Sequence, residues 1–415
     1  MHRLLQKILK ILSKSVIKKY HPVVIGITGS VGKTSTKEAV FAVLKNRFRV
    51  RANDASFNNE IGFPMAILGL KKPGRFIWIF NILKSLRPIF FRDRNFPEIL
   101  ILEMGADKPG DLDYLIDIAK PKIGIVTAVG ELPVHLEFYS SPLEVAEEKS
   151  KLIQKLPKDG LAILNRDDRA VYDMKDIGQA KTVTFGFDPG SIVRASDTSY
   201  FIDNGHSEKL SAGLSFKVNY ENTVIPFRLA NALGRHQVYA ALAAIAVGLH
   251  FGINLVEIAQ ALQGLEFPKQ RMKLLAGIKN SFIIDDSYNA SPLSTQAALD
   301  TLKEFGDRVI LKKGYGRKIA VLGDMKELGV FTERAHRLIG SLIPDRAQAL
   351  FTIGQASRFI ADAALPYLSN ENVVSFDSAD EAKEAIQSFI QKGDIVLVKG
   401  SRAMKLEKIV DCLII

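Results

Sequence analysis

The sequence predicts an α/β protein with two successive, mainly parallel sheets, and three observations predict it. The stretch "VVIGITGSVGKTSTKEAV", Val23 to Val40, runs from an apolar strand through a glycine-rich turn into the start of a helix. Beyond Pro22, strand-length apolar runs alternate with amphipathic helix-length ones, the pattern of parallel strands joined by crossover helices. At 415 residues the chain exceeds what one core fills, which asks for roughly two or three domains.

The first element is a helix. "MHRLLQKILKILSKSVIKKY" carries Arg3, Lys7, Lys10, Lys14, Lys18 and Lys19, no acid, and Leu5, Ile8, Leu9, Leu12 and Val16 on one helical face. Charges interrupt it too often for a signal peptide, so residues 1–22 are read as a basic amphipathic helix. Its apolar stripe serves either packing on the body of the protein or contact with a membrane, through the same face.

A central domain over 23–270 is expected to hold strands at Val23–Thr28, Arg47–Ala52, Ile99–Glu103, Ile123–Thr127, Leu161–Asn165 and Thr182–Phe185. Between about 190 and 230, short alternating strands suggest an antiparallel flap, closed by the alanine-rich helix "VYAALAAIAVGLHFG". Over 271–415, strands at Ser281–Asp285, Lys318–Leu322, Ala349–Ile353, Val373–Phe376 and Ile395–Val398, with helices at Pro292–Phe305 and Ala379–Gln391, predict a small Rossmann-like domain. Residues 71–97 break the alternation with interleaved aromatic and basic side chains, and read as a packed excursion, a substrate lid or a membrane-interface element.

A net charge of +11 and a pI near 9.4 favour anionic partners. No nucleic-acid motif accompanies that charge, so phosphorylated small molecules are preferred to nucleic acid. The single cysteine, Cys412, excludes a disulfide framework and a multi-cysteine zinc site and fits a reducing cytoplasm. No run of about 18 apolar residues predicts a transmembrane helix. The expectation is a cytoplasmic monomer, with the inner face of a membrane as an alternative station.

The chemistry starts at the glycine-rich turn. A phosphate loop usually reads G-x-x-x-x-G-K-[ST], but Ile27 holds the first position here and the glycines fall at Gly26, Gly29 and Gly32. Strand, turn and helix N-terminus still aim backbone N–H groups at one spot, with Lys33 to neutralise phosphate charge and the Thr34 hydroxyl to ligate Mg²⁺. Glu103 ends an apolar strand in "ILILEMGADKPGDL", where a carboxylate faces the same sheet edge. His135 lies in a loop after a strand, and Lys149 on a helix; alone, each reads as an ordinary surface residue.

In this order the clusters resemble the Mur ligases, ATP-dependent amide ligases of peptidoglycan precursor synthesis. The spaced T-G-x-x-G-K-T-[ST] loop is that family's form of the phosphate motif and accounts for Ile27. The resemblance covers residues 23–415 and includes "NNEIGFP" (Asn58 to Pro64), "HLEFYSSPLEVAEEKSKLI" (His135 to Ile153), "LNRDD" (Leu164 to Asp168), "GRHQVYAALAAIAVG" (Gly234 to Gly248), "DDSYNASP" (Asp285 to Pro292), "LGDMKELG" (Leu322 to Gly329) and "VLVKGSRAMKLE" (Val396 to Glu407). These strings are most similar to the branch that adds D-alanyl-D-alanine to a UDP-N-acetylmuramoyl tripeptide, a small-molecule cell-wall precursor.

The resemblance implies an ADP-forming ligase that works through an acyl phosphate. It implies Gly29, Ser30, Gly32, Lys33, Thr34 and Ser35 around the phosphates, Thr34 and Glu103 on one Mg²⁺, His135 on a second, and Lys149 carbamylated by CO₂ between the two ions. It sets His236 and Asn289 near adenine and ribose, with Arg271 and Asp285 meeting ATP as the C-terminal domain closes. Asn58, Asn59, Asp324, Glu327, Lys399 and Arg402 would meet the other substrates. The match departs at Gln237 and Ala240, where asparagine is usual, at Ala128, and before Arg271. Only about 22 residues precede the first strand, too few for the separate uridine-binding domain of these ligases, so the expectation is that the N-terminal helix and residues 71–97 stand in for it. An amide ligase of the superfamily with another acid and amine, and a nucleic-acid-binding P-loop protein, are the alternatives.

Overall fold

The computed structural model describes residues 2–53, 57, 60–70, 93–203 and 211–415. Asn58, Asn59 and most of the aromatic excursion, residues 71–92, lie outside the described residues.

Two sheets organise the chain. The first has nine strands in the order β2-β3-β1-β4-β5-β6-β7-β8-β9. They are β1 (Val23–Thr28), β2 (Val50–Ala52), β3 (Ile99–Glu103), β4 (Ile123–Val126), β5 (Leu161–Asn165), β6 (Lys181–Gly186), β7 (Val193–Asp203), β8 (Ser211–Tyr220) and β9 (Thr223–Ala230). Pairing is parallel from β2 through β7 and antiparallel across β7–β8 and β8–β9. The second sheet runs β10-β11-β15-β12-β13-β14, from β10 (Lys273–Ala276), β11 (Phe282–Asp286), β12 (Lys318–Gly323), β13 (Ala349–Ile353), β14 (Val373–Phe376) and β15 (Ile395–Lys399), parallel except at β10–β11. This is the expected α/β architecture.

Three differences have local causes. β2 starts at Val50 rather than Arg47 because the amides of Arg47 and Phe48 donate to Leu44 O, finishing the helix α2 (Lys33–Leu44). The expected flap is an extension of the first sheet: β7 joins β6 in parallel over Phe185↔Val193 and Gly186↔Arg194. In β8, Ala212, Leu214, Phe216 and Val218 alternate inward and are buried, so this face needs the same cover as the rest of the sheet. β10 is four residues of partly exposed edge strand, too short for a periodic signal.

β1 sits between β3 and β4, so successive crossovers leave it on opposite sides. That is the topological switch point, where ligands bind beyond the carboxyl ends of the strands. The N-terminal helix α1 (His2–Tyr20) packs inward. Leu9 and Val16 are buried in a cluster with Met65, Ala66 and Leu68 of α3 (Gly62–Leu68) and with Phe96, while Lys10 and Lys14 both reach Asp117. The stripe is used in packing, and Leu4 and Ile11 are its exposed apolar neighbours. Among the described residues no helix is long and apolar enough to cross a membrane.

Candidate active site

The loop after β1 is shaped by two glycines. Gly29 has φ +141°, and a Cβ there would lie 2.1 Å from Thr127 Oγ1. Gly32 has φ +88° and caps α2 without a side-chain hydrogen bond, so the first amides of α2 point at the loop free of a protein cap. The exit of β4 holds the loop: Thr127 Oγ1 donates to Val31 O at 2.6 Å and Ser30 N to Ala128 O at 2.6 Å. The Ser30 hydroxyl is buried and has no hydrogen-bond partner among the described residues. An unpaired hydroxyl beside uncapped helix amides is a cradle for an anion.

Lys33 opens α2 and donates from Nζ to Gly29 O at 2.7 Å. Burial pushes its pKa down against the opposing fields of Glu103 and Asp107, and Arg271 adds to the lowering. Thr34 Oγ1 donates to Glu103 Oε2 at 3.0 Å, both side chains being buried. Glu103 is set from behind by Asn53, whose Oδ1 accepts from Glu103 N at 2.8 Å and whose Nδ2 donates to Glu103 O at 3.2 Å. Lys37, one turn after Lys33 and also buried, donates to the Asn53 carbonyl.

Lys149 lies on the Pro142–Gln154 helix, which Ser141 caps by accepting from Glu144 N. It is 1% exposed, and among the described residues Nζ finds only Ala106 O, at 3.5 Å. Burial, and then repulsion from Lys33, brings its pKa down to about 7. A lysine in this state is a free amine in a substantial fraction, about half, of molecules at neutral pH, and the free amine is a nucleophile toward CO₂.

His135 has φ +68° and touches a carboxylate with each ring nitrogen: Glu327 Oε2 lies 2.9 Å from Nδ1 and Asp107 Oδ1 3.2 Å from Nε2. Glu327 belongs to the loop after β12, so this contact joins the two sheets' sides of the molecule; it also has φ +68° and accepts at its backbone O from Glu137 N. The bond to His135 holds the Glu327 carboxyl below its usual range. Asp168 fixes the same loop by accepting from Val129 N and Gly130 N at 2.7 and 2.9 Å.

The other sequence-derived candidates divide. Ser35 is buried in the first turn of α2. Burial lowers the His236 pKa to about 4, beside Asp286, Lys399 and Arg271. Arg271 stacks over Tyr288, 4.2 Å from the ring centre, with Arg402 at 5.9 Å. Asp285 accepts from the Ser287 hydroxyl, and burial raises its pKa. Asn289 caps Ala290 N with its own side chain and offers its carbonyl to Lys399. Lys399 is 2% exposed and paired with Asp286 at 2.6 Å, and Asp324 is 1% exposed, bound to Ser357 N and Lys326. These two side chains brace the second sheet and present little surface to a substrate.

The profile described as the Mur ligase middle domain matches residues 27–248, and that of the Mur ligase glutamate ligase domain matches residues 270–402. The chain belongs to the Mur ligase family. It is 34% identical over 406 residues to the UDP-N-acetylmuramoyl-tripeptide--D-alanyl-D-alanine ligase of Bacillus subtilis (strain 168), spanning 97% of this chain and 78% of that one. The enzyme of the same name from Mycobacterium tuberculosis (strain ATCC 25618 / H37Rv) is 31% identical over 407 residues, spanning 94% and 72%. Among solved structures, MurF from Acinetobacter baumannii superposes with a TM-score of 0.77 at 25% identity over 97% of this chain and 79% of that one. MurF ligase from Thermotoga maritima in complex with ADP shares the fold, with a TM-score of 0.77 at 23% identity over 98% and 83%.

Within this Mur ligase frame, sequence reasoning missed Asp107, Asn53, Lys37 and Asp168. Asp107 sits four residues beyond Glu103 in the quoted string and was visible as a loop acid. The other three act through main-chain atoms, which leaves no side-chain pattern to read.

Proposed function

We infer that the protein is an ATP-dependent, ADP-forming amide ligase that joins D-alanyl-D-alanine to a UDP-N-acetylmuramoyl tripeptide. The observation that carries the reading is the meeting of Lys33, the Thr34–Glu103 pair and the buried amine of Lys149 at the carboxyl edge of β1 and β3. The close relatives named for this activity support the substrates. We further propose a central domain of residues 23–270 and a C-terminal domain of 271–415.

The phosphates of ATP would take the cradle of Ser30 and the α2 amides, displacing Lys33 Nζ from Gly29 O onto the β and γ phosphates. The tripeptide carboxylate attacks the γ-phosphoryl group to give an acyl phosphate, and the dipeptide amine then displaces phosphate from the acyl carbon. Lys33 stabilises charge on the transferring group, and Arg271 brings a second cation from the hinge. The pairing of His135 with Glu327 draws the C-terminal side over the site and keeps water from the acyl phosphate.

The donor set fits Mg²⁺, which takes few protein oxygens and keeps water and phosphate ligands. Thr34 Oγ1 and Glu103 Oε2 would hold it, and it would neutralise the phosphates' developing charge. Among the described residues no cluster of three His, Cys, Asp or Glu side chains forms a metal cage. For a second Mg²⁺ the residues are His135 and a carbamylated Lys149, with the Asp107 contact to His135 exchanged for the ion.

ADP release by the purified protein should require both the tripeptide nucleotide and D-alanyl-D-alanine, with the pentapeptide product seen by mass spectrometry. Turnover that ignores D-alanyl-D-alanine but responds to another amine would overturn the substrate assignment in favour of a different amide ligase.

A further inference from the structure

Asn53 lies one residue past β2, is 1% exposed, and has a partner for each of its hydrogen-bonding groups. Its amide donates to Ile101 O at 3.3 Å, which continues the pairing of β2 with β3. Oδ1 accepts from Glu103 N at 2.8 Å, and Nδ2 donates to Glu103 O at 3.2 Å and to Phe57 O at 2.9 Å. Because Glu103 N can only donate, the carboxamide must turn Oδ1 toward it. The Asn53 carbonyl accepts from Lys37 Nζ.

Lys37 stands in the second turn of α2, is 2% exposed, and also pairs with Glu38 Oε1 at 3.0 Å. Burying an ammonium group costs free energy that an apolar side chain of the same length would avoid. What such a side chain could not do is hold the Asn53 carbonyl. Lys37 comes three residues after Thr34, so the two project from one face of the helix. Thr34 Oγ1 in turn donates to Glu103 Oε2 at 3.0 Å. The contacts close a ring: Thr34 to Glu103 through side chains, Glu103 to Asn53 through main-chain atoms, Asn53 to Lys37, and Lys37 back to Thr34 along one helical turn. Gly29, Ser30, Gly32 and Lys33, which form the phosphate cradle, are not members of it.

We propose that Lys37 and Asn53 are positioning residues that fix Thr34 against Glu103, and with that spacing the affinity of the site for the Mg²⁺ that these two side chains would hold. The inference rests on the Mg²⁺ reading given above. Both residues act on the pair from behind, Lys37 through the Asn53 carbonyl and Asn53 through the Glu103 main chain, and neither occupies a ligand oxygen. Mg²⁺ demands near-ideal octahedral geometry, so a loosened pair loses affinity for the ion while the phosphate cradle keeps its own contacts.

The test titrates the intact chain with ADP in a calorimeter, once with Mg²⁺ and once with EDTA. Wild type should bind ADP more tightly with Mg²⁺. Lys37→Met and Asn53→Ala should each weaken binding in Mg²⁺ by about ten-fold or more, yet leave binding in EDTA within about two-fold of wild type. In a Glu103→Gln background Lys37→Met should add no further loss, because the carboxylate through which it acts is gone. Equal losses with and without Mg²⁺ would show that the two residues serve the cradle or the fold alone, and would overturn the proposal. If wild type gains from Mg²⁺ and both variants gain as much, the positioning role falls while the ion's placement stands. A wild type that gains nothing from Mg²⁺ would overturn both. Should Lys37→Met fail to fold, Asn53→Ala carries the same comparison.

Discussion

A lysine amine held near neutrality by burial should cost the folded protein stability, and replacing it should return that stability while removing catalysis. Lys149 is 1% exposed and its pKa falls from the ordinary 10.5 to about 7. Because the folded-state value is depressed, the penalty is fully present below pH 7, where the charged form must be buried. It shrinks as pH rises from 7 to 10.5, where the unfolded chain still binds a proton that the folded one has released. At 1.36 kcal/mol per pKa unit the full penalty is about 5 kcal/mol. Lys149→Met also leaves Ala106 O without its long contact, a loss of about 1–2 kcal/mol. The variant should therefore be about 3–4 kcal/mol more stable than wild type at pH 6, with the gap closing by about 1.4 kcal/mol per pH unit above 7. Urea melts of both proteins in CO₂-free buffer at pH 6, 8 and 9.5 measure this. A gap that does not change with pH, or a variant less stable at pH 6, would refute a neutral buried amine. The same variant should be inactive as a ligase, the trade-off expected where a site is built from a destabilised group.

Further outcomes follow from the same geometry. Lys33→Ala should lower acyl-phosphate formation by about 10²–10³-fold, read as hydroxamate trapped from the tripeptide substrate; unchanged trapping removes Lys33 from phosphoryl transfer. Thr34→Val deletes the donor to Glu103 and should raise the Mg²⁺ concentration for half-maximal activity by about ten-fold, with the melting temperature as the control for folding. Glu327→Gln keeps the shape but weakens the partly exposed contact to His135, so kcat should fall by only about two- to five-fold; a loss of several hundred-fold would mean that Glu327 touches the substrates instead. Lys149→Ala should regain part of its activity in added short carboxylates, titrated in a ligase assay, and failure of every carboxylate to help would argue against a carbamate.

How much of this was legible in the sequence differs by element. The β1 turn was legible because the left-handed backbone angles of Gly29 and Gly32 are written within one short string, while the close approach of Thr127 to Gly29 comes from the distant exit of β4 and was not. That Thr34, at the start of α2, and Glu103, at the end of β3, come together followed from the parallel alternation, since the ends of β1 and β3 share one sheet edge. The addition of β7–β9 to the first sheet was not legible, because it depends on a two-residue parallel match at β6 that no local pattern encodes. The resemblance puts Lys399 and Asp324 near the substrates. The structure shows Lys399 paired with Asp286 and Asp324 accepting from Ser357 N, partners set by three-dimensional packing that no local pattern encodes.

The contact between His135 and Glu327 ties the two sheets' sides of the molecule together across the site. Both residues hold left-handed backbone at φ +68°, a conformation that costs a non-glycine residue on the order of 1 kcal/mol. Neither is in a helix or a strand, and each is held by the other's side, through the imidazole–carboxylate contact and Glu137 N on Glu327 O at 3.4 Å. Separation would expose these two polar groups to water, and it would also part Tyr200 from the Phe305 ring, 5.8 Å away, within a buried cluster that draws apolar residues from both sheets. It follows that shortening the strained turns' alternatives, for instance with Glu327→Gly, which relieves the backbone penalty but removes the carboxylate, should leave the melting temperature nearly unchanged while lowering kcat. Equal losses in both would place this contact in the structural core instead.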